Sequence, residues 1–160
     1  MTARDVDRAA VYAAEEAAFA GTDLESPVPL DDLVALASAI TLGEWWAGPE
    51  IEVRPARRDA SSSSTRCLGD GATIRIATEQ ATVATLTHEL GHALAGSERG
   101  HDDIFRAAYL DAVAAVTNAV STDRRHEMHV DQLAAAFRSA GLAIGGRRWP
   151  PPGGGRAIAL

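Results

Sequence analysis

The sequence predicts a single α+β domain, in which a small mixed sheet backs a central helix and further helices pack on either side. Three observations point there. Five stretches carry apolar residues at helical spacing. Two short stretches alternate apolar and polar residues, as half-buried strands do. The chain of 160 residues is 46 % hydrophobic but only 5 % aromatic, with alanine supplying much of the apolar total. A core built this way is expected to be mostly helix, packed on a little sheet.

Residues 4–20 read as the first helix, with Val6, Ala9, Ala10, Ala13 and Ala17 as its stripe, Val11 and Phe19 beside it, and Gly21 as its stop. A second helix starts between Pro29 and Asp32 and lines up Leu33, Leu36, Ala37 and Ile40. The acids in its first turn suit the positive end of the helix dipole. Trp45 and Trp46 follow and are expected to plug the core. "EIEVRPA" at 50–56 reads as a strand and "RRDASSSSTR" as a polar loop or hairpin tip. "GATIRIAT" at 71–78 is a second, half-exposed strand, with Ile74 and Ile76 on one side and Arg75 on the other. From Glu79 to Ala95 the period is helical again, with Thr78 as N-cap and Val83, Leu86, Leu90 and Leu94 as stripe. Asp102 or Asp103 opens a fourth helix, presenting Phe105, Ala108, Ala112, Val116 and Ala119. A fifth spans about 124–140, before Gly141. The domain is thus expected to cover 1–141, with 142–160 a Gly/Pro-rich disordered tail.

The net charge of −7 opposes electrostatically driven nucleic-acid binding, although a local basic patch would escape that argument. The single cysteine, Cys67, builds neither an internal disulfide nor a thiolate metal site. The first residues mix Arg and Asp without the apolar run of a signal peptide. No segment approaches the roughly 20 apolar residues of a membrane span. The expectation is a cytoplasmic protein.

Chemistry concentrates in "TLTHELGHALAGSERGH" at 85–101. On a helix, His88 and His92 stand about 6 Å apart along the axis and can point two imidazoles at one ion. Glu89 is turned by about 100° and can reach a water at that ion as a general base. Catalytic zinc takes three protein ligands and keeps one position open. His101 is the candidate third ligand, brought back by a loop flanked by Gly96 and Gly100. Its place just before the next helix favours neutral imidazole, the form a metal needs. Asp102, Asp103, Asp111 and Glu127 are acidic alternatives for that third position. Gly91 lowers helix stability by roughly 1 kcal/mol relative to alanine, which makes sense if another segment packs close there.

With "HELGHALAGSERGHDDIFRAAY" in view, the chain resembles zincin-type metallopeptidases, and among them SprT-like proteins, where a His-containing "HGPxF" turn opens the next helix. His101 and Phe105 match that turn, while Asp102 and Asp103 replace its Gly-Pro, and the loop before His101 is shorter. Together with "RDVDRAAVYAAEEAAF", the stretch is also similar to small metallohydrolases of actinobacteria and their phages. That similarity spans most of residues 4–140. It implies zinc on His88, His92 and His101 and catalysis by Glu89, and it supplies no substrate. The metzincin pattern fails, because Ala95 and Glu98 stand where it needs Gly and His.

The expected activity is hydrolysis of a peptide or protein substrate, aligned by strand 71–77 through β-augmentation. Tyr109, Arg99, His126 and His129 are candidate oxyanion stabilisers. Two alternatives stand beside it: a zinc-binding interaction module without turnover, serving a phage or stress system, and a metal-free helical interaction protein.

Overall fold

The computed structural model describes residues 5–120 and 125–152. Five helices surround a three-stranded sheet: α1 Arg8–Phe19, α2 Leu30–Thr41, β1 Glu50–Pro55, β2 Ser64–Leu68, β3 Gly71–Ile76, α3 Val83–Ala95, α4 Asp103–Val120 and α5 Arg125–Ser139. The fold class is therefore α+β, as predicted. Among the described residues, no helix is long and apolar enough to cross a membrane.

The sheet order is β1-β3-β2, with β1 parallel and β2 antiparallel to β3. β3 is central, and its alternation is sharp: Ala72, Ile74 and Ile76 are buried against the helices while Arg75 is exposed on the far face. Two expectations change here. Residues 64–66 lie in what reads as a polar loop or hairpin tip, yet with Cys67 and Leu68 they form a strand, because backbone pairing to β3 needs no apolar stripe of its own. Strand 71–77 was expected to receive a peptide, but both its sides are already paired. The edges are β1 and β2.

α3 runs through the centre. It packs on α4, β2 and β3, and Leu86 and Leu90 are fully buried. Its N-cap is Thr82, whose side chain accepts from the Thr85 N–H, rather than Thr78, which sits in a preceding 3-10 turn. Gly91 meets α4 closely: a Cβ there would stand 3.1 Å from the Tyr109 Cα and 3.2 Å from the Phe105 ring. The close approach expected of a glycine at this place is present.

In α1 the buried stripe is Val11, Ala14, Ala18 and Phe19, whereas Val6 is exposed. Alanine marks a helical face weakly, and the larger apolar side chains decide the phase. Trp45 and Trp46 are half-buried at the margin of the core instead of filling it. The segment after Leu142 does not leave the domain at once. Trp149 is buried beside Leu94, Ile104 and Ala108, its indole N–H donates 2.8 Å to the Asp111 carboxylate, and Arg147 pairs with the same group. The expected tail is thus held as far as Pro152, and 153–160 lie outside the described residues.

Candidate metal centre

His88 and His92 project from successive turns of α3, and the chain turns back at once to deliver His101. Gly96 (φ +106°) and Gly100 (φ +63°) provide the reversal on either side of a 3-10 turn at Ser97–Arg99, in conformations that disfavour a side chain. Asp102 then caps α4, accepting from the Phe105 N–H at 2.9 Å. The buried Arg106 donates to the His101 carbonyl at 2.7 Å and to Asp7 at 2.9 Å, fixing the loop against the N-terminal segment.

The three imidazoles converge. One ligand atom from each of His88, His92 and His101 lies within 4.8 Å of the others, close enough to bind a metal ion. Nε2 of His88 and Nε2 of His101 are 3.2 Å apart. Two nitrogens about 2.1 Å from a tetrahedral zinc stand about 3.4 Å from each other, so the observed spacing fits such an ion. His88 and His101 are buried, and His92 is half-buried.

The outer nitrogens explain why the inner ones meet. Nδ1 of His88 lies 3.1 Å from Glu15 Oε2, and Nδ1 of His101 lies 2.6 Å from Asp5 Oδ2. A carboxylate at this place favours the proton on Nδ1, which leaves the Nε2 lone pair to face inward, the usual support of a metal-binding histidine. Glu15 also accepts from the Tyr109 hydroxyl at 2.5 Å, and Asp5 from the His101 N–H at 3.2 Å. Two lone pairs at 3.2 Å repel unless a proton or a cation stands between them.

The titration directions agree with that demand. Burial alone would lower the pKa of His88, but the Glu15 hydrogen bond and the charges of Glu15 and Glu89 together hold it above its ordinary value. His92 is pushed down to about 2, first by burial and then by charge on His88 and His101. His101 is also lowered, by burial first, with Asp5 opposing. Of the three rings His88 holds a proton most readily, and a metal ion competes with that proton for the same lone pairs.

Glu89 is buried beside the trio. Its Oε2 accepts from the Thr65 hydroxyl at 2.6 Å, across from β2. Burial raises its pKa above the ordinary carboxylate value, against His88 and Thr65, which pull it down. A carboxylate poised upward in this way is a better proton acceptor near neutral pH.

The sequence-predicted stabilisers are placed elsewhere or already engaged. The Tyr109 hydroxyl donates to Glu15, and Arg99 pairs with Asp102 at 2.9 Å. His129 packs edge-on against Phe19. The His126 side chain and Glu127 lie outside the described side chains. Of the acidic alternatives for a third ligand, Asp102 caps α4 and Asp111 serves Trp149 and Arg147.

Sequence reasoning missed Asp5, Tyr12, Glu15 and Thr65. Tyr12 lies over the site, stacked on His88 with ring centroids 5.3 Å apart and planes 8° apart, with the Arg8 guanidinium 5.6 Å from its own ring centre. A signal for part of this existed. Arg8, Tyr12 and Glu15 fall at helical spacing on an otherwise alanine-rich helix, a polar stripe that needs a reason. Asp5, three residues before Arg8, continues that spacing, whereas Thr65 carries no such signal. Compared with family models, curated proteins and solved structures, the chain matches none.

Proposed function

We propose that the chain is a zinc-dependent metallohydrolase of the zincin type, acting as a peptidase. One observation carries this reading: the Nε2 atoms of His88 and His101 meet at 3.2 Å while a carboxylate holds the far side of each ring. Zinc held by His88, His92 and His101 would supply Lewis-acid polarisation of a carbonyl and lower the pKa of water toward about 7. Glu89 takes a proton from the attacking water and returns it to the leaving nitrogen. Thr65 holds one carboxylate oxygen of Glu89 and leaves the other for that transfer. Tyr12 and Arg8 are exposed beside the histidines and offer donors to an oxyanion.

The edge suited to a peptide is β2, because its Thr65 touches Glu89 and its outer side is unpaired in the sheet. Replacing Glu89 by Gln tests the reading. The variant is expected to retain one zinc per chain and to lose peptide hydrolysis by about 100-fold or more. Hydrolysis at the wild-type rate overturns it.

Burial supports a second reading, a zinc-binding module without turnover: Glu89 is only 5 % exposed and His88 only 3 %. Zinc at one per chain with no cleavage of any member of a peptide library favours that reading.

A further inference from the structure

The far face of the sheet holds a second feature that the metal centre does not explain. Arg57, Arg66 and Arg75 line one depression of about 610 Å³, together with Ser64 and Thr73. Arg66 faces Thr73 and Ser64 faces Arg75 across the β2–β3 ladder, so the two arginines are diagonal neighbours on one face. Arg57 joins them from the loop after β1. None of the three side chains makes a hydrogen bond or ion pair with any described residue. By contrast, Arg54 on β1 is taken by Glu52 at 2.7 Å. Asp59 also borders the depression, and the lining still carries an excess of positive charge.

Clustering three unpaired guanidiniums costs repulsion that a bound anion relieves, and each presents a planar fork suited to phosphate oxygens. We infer that this depression binds a small ligand carrying two or more phosphate groups. The volume lies in the range of small-molecule sites. The hydroxyls of Ser64 and Thr73 add neutral donors beside the arginines. A nucleic-acid strand fits less well. The lining has no aromatic ring on which a base could stack, and β1 turns Glu50 and Glu52 outward along the same sheet, against any run of phosphates.

The site is independent of the metal centre, so its test uses the full chain with and without a chelator. Inorganic triphosphate, titrated calorimetrically, is expected to bind at one per chain in both conditions. The double variant Arg66→Gln/Arg75→Gln should weaken it about tenfold or more, whereas Arg54→Gln should change it less than about twofold. All three substituted positions are exposed, and unchanged melting temperatures will show that the fold is intact. No binding of triphosphate overturns the proposal, as does binding that the double variant leaves unaltered. Preferential binding of hexaglutamate, or of a thymidine oligonucleotide of about a dozen residues, overturns it too by assigning the face to another partner.

Discussion

Nε2 of His88 and Nε2 of His101 stand 3.2 Å apart, each ring anchored behind by a carboxylate from the N-terminal region. Glu15 and Asp5 hold the rings in this arrangement, and their charge makes the imidazoles better ligands. Glu15→Gln and Asp5→Asn keep side-chain shape and remove that charge. Each is expected to weaken zinc binding about 10- to 100-fold in competition with a chromophoric chelator. Glu16→Gln, an exposed neighbour on α1, should leave it unchanged. Equal affinity in all three variants would show that the carboxylates support the fold alone.

The Thr65 hydroxyl stabilises the charged form of Glu89 against its burial. Thr65→Val removes the donor, so the Glu89 pKa rises further. If Glu89 is the base, the acid limb of the pH–rate profile then moves to higher pH. Thr65→Ser is expected to restore the wild-type limb. An unmoved limb in the valine variant separates Thr65 from the proton acceptor.

A methyl group at position 91 needs α4 to give by a few tenths of an ångström, since the nearest atom is backbone at 3.1 Å. The gain in helix propensity from Gly91→Ala is roughly 1 kcal/mol. Overpacking costs typically about 1–3 kcal/mol and is expected to win. Denaturant unfolding should show a lower midpoint than wild type. A more stable variant would mean that the two helices separate easily.

The metal-free chain should lose stability as pH falls. His92, held down to about 2, and His101, also lowered, stay neutral when folded, whereas the unfolded imidazoles bind protons below about 6.5. Stability that is present above that value therefore declines through the window from about 6.5 toward about 2. His88 acts in the opposite sense, because its folded pKa is raised and its contribution is present at low pH. Glu89, whose folded pKa is raised by burial, acts in the same sense as His88. The large lowering of His92 sets the balance, so the melting temperature in chelator should fall between about pH 7 and pH 5. His92→Gln is expected to flatten the slope, and an unchanged slope contradicts the neutral assignment of His92.

The local patterns of the chain carried the helices and two of the three strands. α2 shows its stripe where Leu33, Ala37 and Ile40 predict it. β3 shows its alternation at Ile74 and Ile76. β2 was not legible, because a strand held at the edge by backbone bonds, with exposure alternating along polar residues, leaves no apolar signature. The buried Trp149 sits in a Gly/Pro-rich run whose composition alone argues for disorder, and its partner Asp111 is 38 residues away. In α1, alanine at nearly every turn left the phase to Val11 and Phe19.

By itself the sequence determined that His88 and His92 share a face with Glu89 beside them, and that two glycines could return His101. Helical periodicity and backbone freedom act over a few residues and need no partner. Only the tertiary structure decided what stands behind and beside those groups: Glu15 lies 73 residues from His88, Asp5 lies 96 from His101, and Thr65 lies 24 from Glu89. Such meetings depend on how α1 and β2 pack around α3, and no local pattern encodes the direction of approach.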